Sequence, residues 1–128
     1  MARLEEAPSA SADTRIQALR RTLPPQSTAH ELAQTFSLMS DPRRLQLLLA
    51  LLIGGEIPVS DLAAATGQSM SSTSHSLRLL RMQHIVDVRR SGRQAYYRLA
   101  DTHVRLLLDV ALTPSRHAPP GRSLDGSN

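Results

Sequence analysis

The sequence predicts a mostly α-helical fold with one β-hairpin, an α+β arrangement, and three observations support this prediction. Apolar residues recur at the 3.6-residue spacing of helices in separate segments between residues 27 and 83. The pattern then changes, over residues 85–99, to β-branched and aromatic segments around a polar turn, as in a hairpin. Helical spacing returns after Asp101, so a last helix follows the hairpin.

Residues 1–26 are predicted to form a flexible N-terminal arm that contains one short helix. Residues 1–12 are small, polar and proline-containing, a composition typical of disorder. Over residues 13–23 apolar side chains share one side of a helix, which a Pro-Pro pair ends. A second helix is expected to run to residue 40, with Ser27 or Thr28 as its N-cap.

A third helix is predicted to begin at Asp41 and Pro42. Aspartate is a preferred N-cap residue, and proline is favoured at the first helical position. The leucine-rich helix that follows is expected to be buried and to end at the Gly54-Gly55 pair.

The stretch from Val59 to Val86 is the centre of the prediction. Ser60 is expected to cap a brief helix over residues 61–66, and Gly67 is expected to make the turn into a longer helix that runs from residue 69 or 70 to 83. Two periodic segments around a glycine-containing turn match the helix-turn-helix unit. Three residues of the longer helix share one stripe that faces the core: Thr73, Leu77 and Leu80.

The elements that follow complete a winged helix-turn-helix domain, predicted for residues 27–113. Residues 89–93 form the turn of the hairpin, the wing, and Asp101 or Thr102 caps a last helix that Pro114 ends or kinks. The wide apolar face of this helix exceeds what a small domain needs, which predicts a homodimer formed through the N- and C-terminal helices. Residues 114–128 are expected to be a disordered tail.

Basic residues concentrate in the middle of the chain. The 128 residues carry 15 basic and 11 acidic side chains, a net charge of +4. Residues 43–98 contain eight arginines and three acidic residues, so the positive field belongs to this part. A positive field on a helix-turn-helix unit predicts contact with a polyanion such as DNA.

Several classes of protein are disfavoured by the composition. Without cysteine there are no disulfides, thiolate metal sites or cysteine nucleophiles. The most apolar run, residues 45–53, is shorter than the roughly twenty residues of a membrane span, and the N-terminus lacks a secretory signal. A cytoplasmic protein without membrane association is therefore expected. The sequence contains no paired carboxylates, no nucleophile with a nearby base and no cofactor motif. It therefore does not predict an enzyme.

Five segments of the chain carry a resemblance to a known family: Asp41–Leu45, Val59–Ala63, Ser74–Arg81, Arg90–Leu99 and Asp101–His103. On these segments the chain resembles the ArsR/SmtB family of bacterial winged-helix repressors, over about residues 30–113. The resemblance implies a transcriptional repressor that binds double-stranded operator DNA as a homodimer. Members usually have glycine at the position of His84, so the chain departs from the pattern at the end of the longer helix.

The residues predicted to bind DNA lie on the longer helix and at the hairpin tip. Short hydroxyl side chains let a helix approach base edges in the major groove, while histidine and arginine reach bases or phosphates. Arginines at the tip can enter a minor groove. The predicted DNA-binding residues are Ser69, Ser71, Ser72, Ser74, His75, Arg78, Arg90 and Arg93.

The resemblance also implies a transition-metal site on the last helix, made of an aspartate, a histidine two residues on, and two histidines near the other end. Asp101, His103 and His117 match three of these positions, Pro114 stands at the fourth, and His30 is a candidate replacement. Fourteen residues of helix span about 21 Å, so His103 and His117 of one chain cannot share an ion, whereas two antiparallel subunits can supply one each. Oxygen and nitrogen ligands suit Ni, Zn or Co.

Two alternatives remain open at this point. A regulator of the same fold can lack a metal cofactor and respond to another ligand or to a regulatory protein partner. A winged-helix domain can also serve only as an interaction module with an incidental basic face. A steep loss of specific DNA affinity with rising salt would separate the regulator from the module.

Overall fold

The computed structural model of the protein describes residues 8–114, with side chains from residue 11 onward. The chain divides into two compact units between Gln34 and Thr35. In chain order the elements are α1 (Pro8–Thr22), α2 (Gln26–Met39), α3 (Pro42–Gly54), β1 (Ile57–Pro58), α4 (Val59–Thr66), α5 (Met70–Met82), β2 (Val86–Ser91), β3 (Gln94–Leu99) and α6 (Thr102–Leu112). This order confirms the predicted fold class. Within the described range no helix is long and apolar enough to cross a membrane.

The first two helices begin earlier than predicted. Helix α1 begins at Pro8, which fits a first turn because the N–H that proline lacks has no helical partner there. Helix α2 begins at Gln26, so Ser27 and Thr28 lie inside the helix, and the prediction that one of them caps it is wrong. The N–H of Thr28 already donates to the carbonyl of Pro25 at 3.0 Å. Helical hydrogen bonding therefore starts at the proline that was expected only to separate the helices.

Helix α3 is the centre of the hydrophobic core. Its residues Leu47, Leu48 and Leu51 are fully buried, and the helix contacts α4, α5, α6 and β3. The other buried members of the core are Met39, Leu62, Leu77, Leu80, Ile85, Val86, Leu99, Val104 and Leu108. Every element from the end of α2 to α6 except β1 thus contributes at least one fully or nearly fully buried side chain. The position of α5 is fixed by this packing.

The junction between α2 and α3 is held by Arg44. Asp41 occupies the predicted N-cap position but makes no side-chain cap hydrogen bond, and its carboxylate lies 3.6 Å from Arg44 instead. The Nε of Arg44 donates to the carbonyl of Leu38 at 2.8 Å, which satisfies one of the last carbonyls of α2. Arg44 therefore has a structural role and is not available as a surface cation.

The helix-turn-helix unit consists of α4 and α5. Helix α4 begins at Val59, so Ser60 lies inside it and does not cap it as predicted. Gly67 makes the turn in the left-handed conformation, at φ 67°, as the sequence predicts. The Nε2 of Gln68 donates to the carbonyl of Arg43 at 3.0 Å and so holds the turn against the start of α3.

A three-stranded antiparallel sheet contains the hairpin, with strand order β1-β3-β2. Strand β1 has only two residues, and Ile57 pairs with Tyr97 and Pro58 with Tyr96. This ladder is short and includes a proline, which cannot donate a backbone hydrogen bond. It is also the segment that leads directly into α4, so it joins the sheet to the helix-turn-helix unit.

The turn of the hairpin is shorter than predicted. Strands β2 and β3 stay paired up to Ser91 and Gln94, which leaves Gly92 and Arg93 as a two-residue loop. Gly92 has a φ of 64°, the positive value that the first central residue of such a tight turn needs. Arg90 therefore lies in a strand rather than in the turn.

His84 ends helix α5 in the left-handed conformation, with a φ of 60°. The N–H of His84 donates to the carbonyl of Arg81, and the N–H of Ile85 donates to the carbonyl of Leu80, both at 2.9 Å. These two bonds form a Schellman motif, in which glycine is the usual left-handed residue. The departure from glycine noted in the sequence therefore leaves the left-handed helix end in place, with histidine as the left-handed residue.

We expect His84→Gly to raise the free energy of unfolding by about 1 kcal/mol, because a side chain with a Cβ is strained in the left-handed conformation and glycine is not. Denaturant unfolding of the two proteins measures the difference. Gln83→Gly is the matched control, because Gln83 has a φ of −95° and gains nothing from glycine, so this variant should lose stability. Equal losses in both variants would contradict the prediction.

Ile85 connects the end of α5 with the start of α6. Its side chain is fully buried, and its N–H closes the Schellman motif of α5. Its carbonyl accepts the N–H groups of Ala100, at 2.9 Å, and of Asp101, at 3.4 Å. The backbone on either side of the hairpin therefore meets at one residue.

Helix α6 presents one face to the core and another to solvent. Val104 and Leu108 are buried, whereas several large apolar residues are exposed: Leu106, Leu107, Val110 and Leu112. The helix ends at Leu112, because Thr113 is already extended before Pro114, as predicted for a proline stop. An exposed apolar face of this width on one chain agrees with the predicted dimer interface.

Candidate DNA-binding face and metal-ligand residues

The N-terminus of α5 is capped by Ser69. The Oγ of Ser69 accepts a hydrogen bond from the N–H of Ser72 at 3.0 Å, as the preference for serine at this position predicts. This hydroxyl therefore stabilises the start of the helix and keeps only its own proton for a DNA contact. Ser69 is placed beside the predicted DNA face but has a structural use as well.

The outward face of α5 begins with a stripe of three exposed polar residues and ends at the exposed Met82. Ser71, His75 and Arg78 follow at intervals of four and three, so they lie on one side of the helix over about 10 Å. The opposite side is buried and consists of Thr73, Ser76, Leu77 and Leu80. Because this buried stripe fixes the rotation of the helix, the three exposed side chains all point away from the core.

The remaining predicted helix residues flank this stripe. Ser72 and Ser74 are half-buried, one on each side of the exposed stripe. Arg81 is exposed and lies two turns from Ser74 on the same flank, next to Arg78. The sequence interpretation did not assign Arg81 to the DNA face, although its spacing from Ser74 and Arg78 gives the signal. Within residues 8–114 neither arginine makes a side-chain hydrogen bond or ion pair.

The wing contains two kinds of arginine. Arg90 and Arg93 are exposed at the tip and make no side-chain hydrogen bond or ion pair with any residue that the structure describes. Arg89 and Arg98 are also partly exposed, but both are engaged with carboxylates, Arg98 with Asp87 at 3.2 Å. The unpaired positive charge of the sheet therefore lies at the tip, where the sequence predicts a DNA contact.

Asp101 and His103 lie together at the start of α6. Oδ1 of Asp101 caps the helix, since it accepts the N–H groups of His103 at 2.8 Å and Val104 at 3.1 Å. Oδ2 takes no part in these contacts and is left for another ligand. The imidazole of His103 is 97% exposed, and its Nδ1 lies 3.5 Å from Oδ1 of Asp101. One carboxylate oxygen and one imidazole are thus adjacent and accessible.

Asp101 and His103 could provide two ligands to a metal ion. A carboxylate and an imidazole are the donors that Ni, Zn and Co accept. Among residues 8–114 of one chain no group of three histidine, aspartate or glutamate side chains could hold a metal. His117 lies outside the described residues. His30 is exposed on α2, in the first unit of the chain. A site with three or more ligands would need residues in addition to Asp101 and His103.

Comparison with known proteins identifies the family. The family described as "Bacterial regulatory protein, arsR family" matches residues 41–88, from the start of α3 into β2. The HTH-type transcriptional regulator NmtR of Mycobacterium tuberculosis is 43% identical over 95 residues, which are 74% of this chain and 78% of NmtR. The chain belongs to the ArsR family. The resemblance read from five segments of the sequence is thereby confirmed.

Other ArsR-type proteins agree in sequence and in structure. The transcriptional repressor SmtB homolog of Synechocystis sp. is 51% identical over 76 residues, which are 59% of this chain and 57% of that protein's length. The homodimeric winged helix-turn-helix DNA-binding domain Mb0332 of Mycobacterium bovis superposes with a TM-score of 0.62 and 30% identity, over 70% of this chain and 84% of Mb0332. An ArsR-family chain with this fold is a DNA-binding transcriptional regulator.

Proposed function

We propose that this ArsR-family protein is a homodimeric repressor that binds double-stranded operator DNA and is released by Ni, Zn or Co. The observation that carries the proposal is the outward stripe of α5: Ser71, His75 and Arg78 are exposed, have no side-chain partner among residues 8–114, and lie on a helix whose rotation the core fixes. A helix of this kind is able to enter a major groove and contact base edges. The cytoplasm, where operator DNA is located, is the expected site of action.

Residues 27–113 would provide both the DNA-binding and the dimerising surfaces, with residues 1–26 as an arm and 114–128 as a tail. In a dimer the two copies of α5 would meet successive major grooves about 34 Å apart on a palindromic operator. Ser69, Ser72 and Ser74 would approach phosphates or bases beside the central stripe, and Arg90 and Arg93 would reach the backbone or a minor groove. The exposed apolar residues of α6 support the dimer.

Asp101 and His103 would hold the metal at the start of α6, with His117 of the second subunit, or His30, as further ligands. When bound, the ion would supply a positive charge that joins ligands of the two subunits. Metal can release DNA only if it binds more tightly to the dimer form with lower DNA affinity. Asp101 can serve as helix cap and ligand together, because Oδ1 caps the helix and Oδ2 remains accessible.

A titration of promoter DNA in the presence of Ni, Zn, Co or a chelator tests the proposal. We expect specific binding that a metal weakens by about 5-fold to 150-fold, the usual range of allosteric coupling. Asp101→Asn should abolish this metal effect and keep DNA affinity and stability, because asparagine caps a helix about as well as aspartate. His103→Ala should also abolish it, and His30→Ala tests the alternative ligand.

A second candidate function is an ArsR-family repressor controlled by another ligand or by a protein partner. The observation that favours it is the end of α6 at Leu112, before the position at which Pro114 replaces a third histidine. In that case DNA binding is specific and depends on salt but is the same with each metal and with the chelator. Absence of specific DNA binding under all of these conditions would contradict both candidates.

A further inference from the structure

Glu56 lies between α3 and β1 and binds Arg89 of the adjacent hairpin. The Nε of Arg89 donates to both carboxylate oxygens, at 3.1 and 3.2 Å, and its Nη2 donates to Oε1 at 3.0 Å. This is the two-pronged geometry in which arginine binds carboxylates, and also phosphates, most effectively. The Nε–Nη2 edge, one of the two guanidinium edges that can meet a phosphate in this way, is thus already occupied by a carboxylate of the same chain.

The rest of the Arg89 guanidinium lies over the ring of Tyr96, its cross-strand neighbour. The guanidinium carbon is 4.8 Å from the ring centroid, within the range of a cation–π contact. Tyr96 is in turn the partner of Pro58 in the β1–β3 ladder. Arg89 is therefore held by one group that precedes β1 and by one group on β3, and it links the three strands.

Arg98 lies between two acidic side chains on the same sheet. Its guanidinium is 3.2 Å from Oδ2 of Asp87 and 3.7 Å from Oε2 of Glu56. Two arginines and two carboxylates thus form one cluster, with a net charge of zero. Hydrogen bonding from Arg89 lowers the pKa of Glu56, and hydrogen bonding to Glu56 raises the pKa of Arg89, so this pair stays ionised at neutral pH.

The cluster supports a strand that its own backbone bonds hold weakly. Strand β1 has two residues, one of them proline, and it leads directly into α4 of the helix-turn-helix unit. Each exposed ion pair contributes little to stability by itself. The Glu56–Arg89 ion pair can still affect DNA binding. A phosphate that drew Arg89 away would leave the carboxylate of Glu56 without Arg89 beside a polyanion.

We propose that Glu56 is a positioning residue that withholds Arg89 from DNA and joins the wing to the helix-turn-helix unit. The wing then contacts DNA only through Arg90 and Arg93, the two wing arginines that have no carboxylate partner among the described residues. This inference rests on the proposed DNA-binding function. It assigns different roles to the neighbouring Arg89 and Arg90, because only Arg89 has a carboxylate partner among the described residues.

The salt dependence of DNA affinity tests this assignment, since each phosphate contact contributes about 0.9 to the slope of log affinity against log salt. The slope is negative, and its magnitude is the quantity to compare. In a homodimer Arg90→Ala should lower this magnitude by about 2, because one contact is lost on each subunit. Arg89→Ala should leave it unchanged, and Glu56→Gln should raise it by about 2, because it releases Arg89 on each subunit while Asp87 still holds Arg98 at 3.2 Å. Asp109→Asn makes the same charge change on α6, outside the cluster, and should have little effect.

The outcomes separate this inference from the function on which it rests. An equal loss of slope in Arg89→Ala and Arg90→Ala, or no rise in Glu56→Gln beyond that of Asp109→Asn, would overturn the role of Glu56 while DNA binding stands. Absence of specific binding by the unmodified protein would overturn the proposed function and this inference together. Thermal melts of all variants confirm folding, and Arg89→Gln, which also removes the charge, replaces Arg89→Ala if the latter does not fold.

Discussion

His75→Glu is expected to lower operator affinity by at least about 100-fold, a loss of roughly 2.7 kcal/mol. His75 is exposed at the middle of the outward stripe of α5, between Ser71 and Arg78. If α5 binds DNA as proposed, a carboxylate at this point would face phosphates and base acceptors, and like charges brought together at an interface cost several kcal/mol. In a homodimer the change occurs twice. Fluorescence anisotropy of labelled operator DNA at fixed salt measures the loss.

Two variants separate charge from shape in this experiment. His75→Gln removes the imidazole without adding a charge and should cost about 10-fold, the value of one polar base contact. Gln17→Glu adds the same negative charge on α1, outside the helix-turn-helix unit and the hairpin, and should bind close to normally. An affinity of His75→Glu equal to that of Gln17→Glu would mean that the outward stripe of α5 does not face DNA.

Leu77→Ala is expected to lower the free energy of unfolding by about 3 kcal/mol, the typical result of removing a buried leucine side chain. Leu77 is fully buried on the core side of α5. Domains of this size are stable by only about 5–15 kcal/mol, so a large part of the total is lost. Urea unfolding should show a lower midpoint with an unchanged slope.

Thr73→Val is the matched control on the same buried stripe. Thr73 is also fully buried, and its Oγ1 has no hydrogen-bond partner within the part of the chain that the structure describes. Replacing this hydroxyl with a methyl group removes an unsatisfied polar atom, so stability should stay the same or rise by about 1 kcal/mol. A loss in Thr73→Val as large as that in Leu77→Ala would show that α5 tolerates no change at this face and would contradict the prediction.

Helical periodicity in the sequence was sufficient to predict α3, α5, α6 and the order of all main elements. It could not predict β1, because two residues, one of them proline, carry no alternation pattern. The helix starts near Ser27 and Ser60 were wrong for a local reason. A serine or threonine before an apolar run is a good cap, but at both places a preceding proline allows the helix to begin earlier.

The sequence was sufficient to predict the local part of the candidate DNA face but not the contacts between distant residues. The spacing of Ser71, His75 and Arg78 is a local property of α5, so the sequence defines this stripe without the fold. The pairing of Arg89 is not local, because its partner Glu56 is 33 residues away and meets it only through the sheet. The adjacency of Asp101 and His103 follows from their spacing, whereas the remaining metal ligands depend on parts that one described chain does not contain.

The backbone hydrogen bonds of Ile85 link the end of α5 to the start of α6. Its N–H bond closes the recognition helix α5, and its carbonyl holds the two N–H groups that lead into α6, where Asp101 and His103 lie. A local opening that frees the start of α6 therefore loosens the residue that terminates α5. The three amides of Ile85, Ala100 and Asp101 are therefore expected to exchange hydrogen as one cooperative unit, with the end of α5 and the start of α6 opening together.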